Sequence, residues 1–285
     1  MGQRGGAVES AAIRAAGRGL APRPSPGAAI SGVGAEPLAG RNHGNPRPGC
    51  RSVHTNLSSS VWYSRARPKA GEPGGLEALH PHGLSGRGIH VWRGDRHVLR
   101  NVSIDVLAGE VVHVAGPNGT GKTTLLRVLA GLLPAEEGYV GWRGRPIRSE
   151  RDDFNAEMAY LGHENALKGD LTSFENLHYS IGVRRHLDGP EIDATLDHLG
   201  ILRCRDLPAR VLSAGQRRRL AMSRIMLLGA SLWVLDEPFT NLDVAGVALF
   251  SGLIGDHVAA GGMAILAAHQ GLNVPGTTPR IVELN

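Results

Sequence analysis

The stretch GPNGTGKTT, Gly116 to Thr124, constrains this chain more than any other. It fits the spacing G-x-x-x-x-G-K-[ST], and its surroundings give the spacing meaning. An apolar segment, Val111–Ala115, precedes it and reads as a buried strand. The run TTLLRVLAGLL follows and reads as a helix over Thr123–Leu133, with Gly131 and Pro134 at its end. In a strand, glycine-rich turn and helix of this kind, successive backbone N–H groups converge on phosphate oxygens, and the positive end of the helix adds attraction. Gly116, Pro117, Asn118, Gly119, Thr120, Gly121, Lys122, Thr123 and Thr124 would then cradle the phosphates of a nucleotide. Lys122 would reach its β- and γ-phosphates, and the Thr123 hydroxyl would ligate Mg²⁺. A chance match would require strand, helix, lysine and threonine to coincide.

Such a loop needs an acidic counterpart. The segment LWVLDEP, Leu232 to Pro238, is an apolar strand ending in two carboxylates. Asp236 at the strand end can hold Mg²⁺, usually through water. Glu237 is then placed to polarise the attacking water as general base. Taken alone, the pair also reads as two solvated acids; the phosphate-binding loop favours the functional reading.

The net charge of +5 suggests nucleic acid until it is divided along the chain. Residues 1–83 carry 10 lysines and arginines against 4 acids, a net of +6. Residues 84–285 carry 21 against 22, a net of −1. The part expected to fold therefore has no basic surplus, and no nucleic-acid partner is expected. The first 83 residues also hold 15 Gly and 9 Pro, a bias that signals disorder. Three readings of this low-complexity extension stay open: a functionless tail, including one from a start codon called too early, an organelle transit peptide, or a partner-binding arm. Two cysteines, Cys50 and Cys204, make no disulfide framework and suit a reducing compartment. No apolar run approaches the ~18 residues that would cross a bilayer.

From residue 84 the pattern changes. GIHVWRGDRHVLRNVSIDVLAGEVVHVAG alternates apolar and polar residues and breaks at Gly94-Asp95 and Ala108-Gly109, which predicts antiparallel strands. YVGWRGRPI predicts a hairpin turning at Arg143-Gly144. Helices are expected over Ser173–Arg184, Glu191–Leu199 and Gln216–Leu228, and buried strands over Leu232–Leu235 and Met263–Ala267. The fold class is α/β, with a parallel core sheet and an antiparallel β layer at its start. The expected domain runs over 84–285, with a helical subdomain near 163–228.

One cluster needs separate treatment. Leu161 to Tyr179 gathers His163, Glu164, Asp170, Glu175 and His178. A His-Glu pair invites a metalloprotease reading, but that motif needs a second His one turn on, where Leu167 stands. Thr172 followed by Glu175 fits a capping box, so the stretch reads as strand, polar loop and helix.

The motifs together resemble the ATP-binding subunits of ABC transporters. LSAGQRRRLAMSR, Leu212 to Arg224, resembles that family's signature. In bare physical terms Ser213 is a helix N-cap before an apolar stripe of Ala221, Ile225 and Leu228, with Arg217, Arg218 and Arg219 on a solvated face. The resemblance implies that Ser213, Gly215 and Gln216 face the γ-phosphate of ATP held by a second copy, so that a dimer closes on two nucleotides. NLD, Asn241 to Asp243, resembles the loop crossing the dimer seam. His269 follows Met263–Ala267 where the family keeps a histidine near the γ-phosphate. Trp92 stands where the family stacks an aromatic on adenine, and core packing is the open rival for it. His163 takes the position of the family's loop glutamine, which touches the Mg²⁺ and water region and connects to the subdomain gripping the membrane partner. An imidazole can donate or accept one hydrogen bond much as an amide can.

YLGHENALKGDLTSFENLHY, LWVLDEPFTNLDVAGV and AAHQGLNV further resemble the branch serving cytochrome c maturation, the haem exporters of bacterial inner membranes. That branch implies ATP hydrolysis coupled, through integral membrane subunits, to haem-pathway components, at the cytoplasmic face of the membrane. Alternatives left open are the motor of another exporter and a soluble ABC ATPase acting on nucleic acid.

Overall fold

The computed structural model describes residues 79–268, 271 and 273–285. The readings of the low-complexity extension up to residue 78, and those of Cys50 and His269, lie outside these residues.

Two sheets form the frame. The first is antiparallel, in the order β2-β1-β4-β5, from β1 (Gly83–Arg93), β2 (Arg96–Leu107), β4 (Glu137–Trp142) and β5 (Arg145–Pro146). Its turns fall at Gly94-Asp95 and Arg143-Gly144, as the breaks in alternation predict. The second sheet is parallel throughout, in the order β6-β7-β8-β3-β9, from β6 (Met158–Leu161), β7 (Leu232–Asp236), β8 (Met263–Ala267), β3 (Val111–Ala115) and β9 (Arg280–Glu283).

Period-two alternation along the parallel strands divides the interior into two cores. Val112, Val114, Leu232, Val234, Met263 and Ile265 face one side, where α1 (Lys122–Leu129) and the antiparallel sheet cover them. Val111, Trp233, Leu235, Ala264 and Leu266 face the other. There they meet α5 (Ala214–Leu228) and α6 (Val244–Ala259), with α3 (Ser173–Gly182) and α4 (Gly189–His198) packed beyond. Because both faces are covered, the strands read as continuous apolar runs, as buried parallel strands do.

The helix starts follow from local chemistry. Thr172 Oγ1 accepts from the Glu175 N–H at 3.1 Å, and Glu175 Oε2 accepts from the Thr172 N–H at 2.8 Å, so α3 begins on the capping box expected there. Asp188 caps α4, with a proline in its first turn. Gly229, at φ 61°, ends α5 in the left-handed conformation that favours glycine.

Several expectations need adjustment. The helix after the phosphate-binding loop stops at Leu129, not Leu133, because Gly131 adopts φ 68°. The helix expected to reach Arg184 stops at Gly182. A short helix α2 (Arg151–Glu157), α6 and β9 were not anticipated. In α6, buried Gly246, Phe250, Ile254 and Val258 recur every fourth residue, but neighbouring apolar and glycine residues mask the stripe. Strand β9 is short and partly exposed, so it carries little alternation.

Candidate functional site

The expected loop joins β3 to α1 and lies at the carboxyl edge of the parallel sheet, where ligands bind in open α/β sheets. Two of its glycines have no substitute. Gly116 sits at φ 144°, and a Cβ there would lie 2.5 Å from the Leu284 carbonyl oxygen. Gly121, the N-cap of α1, sits at φ 100°, and its Cβ would come within 2.9 Å of Leu99 and Val98 side chains. No side chain caps α1, so its first amides are not claimed by a neighbouring side chain. Lys122 is buried, and its Nζ donates to the carbonyls of Gly116 at 2.7 Å and Pro117 at 3.0 Å. These bonds hold the ammonium over the middle of the loop.

Strand β7 brings the acids to the same edge. Thr123 Oγ1 donates to Asp236 Oδ1 at 3.1 Å. Asp236 is buried, and its second oxygen, Oδ2, has no hydrogen-bond partner among the described residues. A buried carboxylate oxygen without a donor, beside a threonine hydroxyl, is the hard-oxygen donor set that suits Mg²⁺. Glu237 follows at φ 51°, an uncommon conformation for a residue with a side chain, and its N–H bonds to the Ala267 carbonyl at 2.9 Å. An open cavity of 580 Å³ collects these groups: Asn118, Gly119, Gly121, Lys122, Thr123, Thr124, His163 and Glu237 all line it. His163, the first exposed residue after β6 and Gly162, thus reaches the same space as Glu237.

The rim of the cavity is basic. Arg93, Arg96 and Val98 line it, whereas Trp92 does not. Trp92 is half-buried and outside both cores, stacked on His97 at 4.0 Å and 7° and on His90 at 5.6 Å. Core packing does not describe this three-ring ladder. Alternation along β1 explains it: Ile89 and Val91 turn inward, so His90 and Trp92 turn out. Arg96 Nη2 also donates to the Gly119 carbonyl at 2.9 Å, tying the β1–β2 turn to the phosphate-binding loop.

The signature segment lies elsewhere. Ser213 Oγ accepts from the Gln216 N–H at 3.2 Å, and Gln216 Oε1 accepts from the Ser213 N–H at 2.8 Å. Ser213 is exposed, and Gly215 is close to the Asn241 carbonyl, 3.0 Å from where a Cβ would sit. None of Ser213, Gly215 and Gln216 lines the cavity with Lys122. Asp243 caps α6 through the Gly246 N–H at 2.9 Å and pairs with Arg219 at 3.1 Å, also away from that cavity.

The arginine face is the largest correction. Only 1% of Arg218 is exposed, and it belongs to no solvated face. It donates to the carbonyls of Pro238, Gly162, Asp236 and Glu237 and to Asn165 Oδ1, all between 2.6 and 3.1 Å. Burial lowers its pKa to about 10, against the opposing charges of Asp236 and Glu237. It therefore stays charged at neutral pH. Arg219 is half-buried and bonds the Leu199 carbonyl as well as Asp243. The signal was present in the spacing: Arg218 precedes Ala221, Met222 and Ile225 by three, four and seven residues, on the buried stripe itself.

Comparison with known proteins agrees with this geometry. Residues 99–240 match the ABC transporter family. Two solved structures, a putative ABC transporter ATP-binding protein from Pyrococcus furiosus and an ATP-binding subunit of an ABC transporter, share the fold. The first has a TM-score of 0.62 at 24% identity, covering 71% of this chain and 97% of that one. The second has 0.60 at 23%, covering 66% and 79%. The family match and the cavity together make this an ATP-binding subunit of the ABC class, an ATPase that works with membrane subunits as a transporter complex. The chain is 46% identical over 198 residues to the cytochrome c biogenesis ATP-binding export protein CcmA of Nitrosococcus oceani, covering 69% of this chain and 88% of that one. It is 45% identical over 194 residues to the protein of the same name from Methylococcus capsulatus, covering 68% and 94%. It belongs to the family of cytochrome c biogenesis ATP-binding export proteins. Among the described residues no helix is long and apolar enough to cross a membrane.

Proposed function

We propose that this chain is the ATP-hydrolysing motor of an exporter for cytochrome c assembly, docked on integral membrane subunits at the cytoplasmic face of a bacterial inner membrane. It acts on haem-pathway components only through those subunits. The observation that carries this reading is the convergence of Lys122, Thr123, His163 and Glu237 on one cavity beside an Asp236 oxygen that has no partner among the described residues.

In this reading residues 116–124 hold the ATP phosphates, with Lys122 on the β- and γ-oxygens. Arg93 and Arg96 lie on the rim, where guanidinium groups can meet the rest of the nucleotide. Thr123 and Asp236 would hold Mg²⁺, which neutralises charge on the phosphate oxygens. Glu237 orients the attacking water and takes its proton as the water oxygen bonds to the γ-phosphorus and the bond to the β-phosphate oxygen breaks. His163 monitors that centre in place of an amide, and His269 joins it near the γ-phosphate. Ser213, Gly215, Gln216 and Asp243 lie outside the cavity and serve the partner copy's nucleotide, so two chains close around two ATP molecules.

The test is a pull-down from detergent-solubilised membranes with Glu237→Gln, which should trap the ATP-bound dimer. Polytopic cytochrome c maturation subunits are expected with it. Their absence, or ATPase stimulation by RNA instead of by membrane subunits, would overturn the assignment.

A further inference from the structure

Arg218 makes an unusual set of contacts for a buried arginine. A guanidinium has five N–H donors in a fixed fork, and here five acceptors meet them. All five are neutral: four backbone carbonyls and the Asn165 side-chain oxygen. Among the described residues no carboxylate pairs with it directly, so its geometry is set by the backbone it gathers. That backbone comes from two places. Asp236, Glu237 and Pro238 are consecutive at the end of β7, whereas Gly162 and Asn165 flank His163 after β6. The arginine itself stands in the first turns of α5, five residues beyond Ser213.

We propose that Arg218 is a positioning residue for ATP hydrolysis. It holds the Glu237 carboxylate and the His163 ring at fixed places in the cavity by clamping the backbone behind both, and it makes their placement depend on where the signature helix sits. The inference rests on the assignment of Glu237 as the residue that orients the attacking water. Three features carry it. Glu237 adopts φ 51°, and a residue held in that region needs surrounding structure to fix it. The Arg218 Nη2 bonds to the Asp236 and Glu237 carbonyls, at 2.9 and 2.6 Å, supply that constraint on both sides of the Glu237 amide. The Nη1 bonds, at 2.9 and 3.0 Å, reach the His163 loop from the same planar group. A shift of α5 therefore moves both walls of the cavity together. Lysine would keep the charge but has neither the fork nor five donors.

The experiment is steady-state and single-turnover ATP hydrolysis by the full chain carrying Arg218→Lys, with thermal melting as a fold control. The expected KM for ATP stays within about 3-fold of the unsubstituted protein, while kcat falls about 100-fold, the scale of a 1 Å misplacement. Introduced into a Glu237→Gln background, Arg218→Lys should slow single-turnover hydrolysis by far less than about 100-fold, because the carboxylate it positions is already gone and only the placement of His163 is left to lose. Unchanged kcat, or the same 100-fold loss repeated in that background, would overturn the inference. Should Arg218→Lys lose its cooperative melt, Asn165→Ala gives the reading instead, since it removes one acceptor on the His163 side. A kcat about 5-fold lower at constant KM supports the clamp, and unchanged kcat sinks it. Lys122→Ala runs alongside. Activity retained there would sink the site assignment itself, whereas loss there with unchanged kcat in Arg218→Lys would sink the clamp alone.

Discussion

The helix after the phosphate-binding loop begins inside the cavity and the helix after the signature serine begins outside it, and their first turns are finished differently. Helix α1 starts on Gly121 at φ 100° with no side-chain cap. Helix α5 starts on a reciprocal Ser213–Gln216 box in which each residue bonds the other's backbone N–H. The first leaves donors for a ligand and needs glycine to bring the backbone close. The second is complete as a structural cap and turns an exposed serine outward. One helix start is thus a binding device within a single chain, and the other becomes one only when another surface meets it.

Substitutions can break that contrast. Lys122→Ala should have the largest effect, lowering ATPase activity by at least about 100-fold, on the scale of removing one preorganised donor from a reacting group; an ATP hydrolysis assay reads it. Gly121→Ala comes next. The added Cβ meets Leu99 and Val98 at 2.9 Å in a conformation costing about 1–3 kcal/mol, so ATP affinity by titration calorimetry should fall. Ser213→Ala should cost about 1 kcal/mol through the lost cap, a melting temperature lower by about 2–4 °C. If α5 worked as α1 does, that substitution would abolish ATP binding by the isolated chain; unchanged binding is expected. His163→Gln should keep ATPase activity, whereas His163→Ala should weaken coupling to membrane subunits, read as a loss of cytochrome c assembly in cells.

The smallest effect lies away from both helix starts and tests the second core. Burial holds the His257 imidazole below its ordinary pKa, and the ring stacks on Trp233 at 4.0 Å. The folded chain binds that proton less readily than the unfolded one. Stability is therefore intact above about pH 6.5 and declines as pH falls below it. His257→Phe, which keeps the stack, should flatten the melting-temperature decline between pH 6.5 and 5.

Sequence and structure agree most closely where chemistry is local. The phosphate-binding loop, the β7 acids, the Thr172 capping box and the Ser213 N-cap depend on neighbours within a few residues, and spacing alone places them. The reading weakens where a residue's role depends on rotation about an element. Trp92 and Arg93 are adjacent, and only the inward turn of Ile89 and Val91 decides which one meets the cavity. Three successive arginines look alike in sequence, yet the helical period puts one in the core and leaves its neighbours half-exposed. Strand β9 was missed because parallel pairing with β3, not its own pattern, makes it a strand.

That edge strand has a practical side. Leu284 N–H bonds the Ala115 carbonyl at 2.9 Å, and the Leu284 carbonyl closes over Gly116. A methyl group at position 116 would press on that carbonyl 2.5 Å away. Gly116→Ala would therefore pry β9 from β3 as well as distort the loop, so the outermost strand works as a brace for phosphate binding.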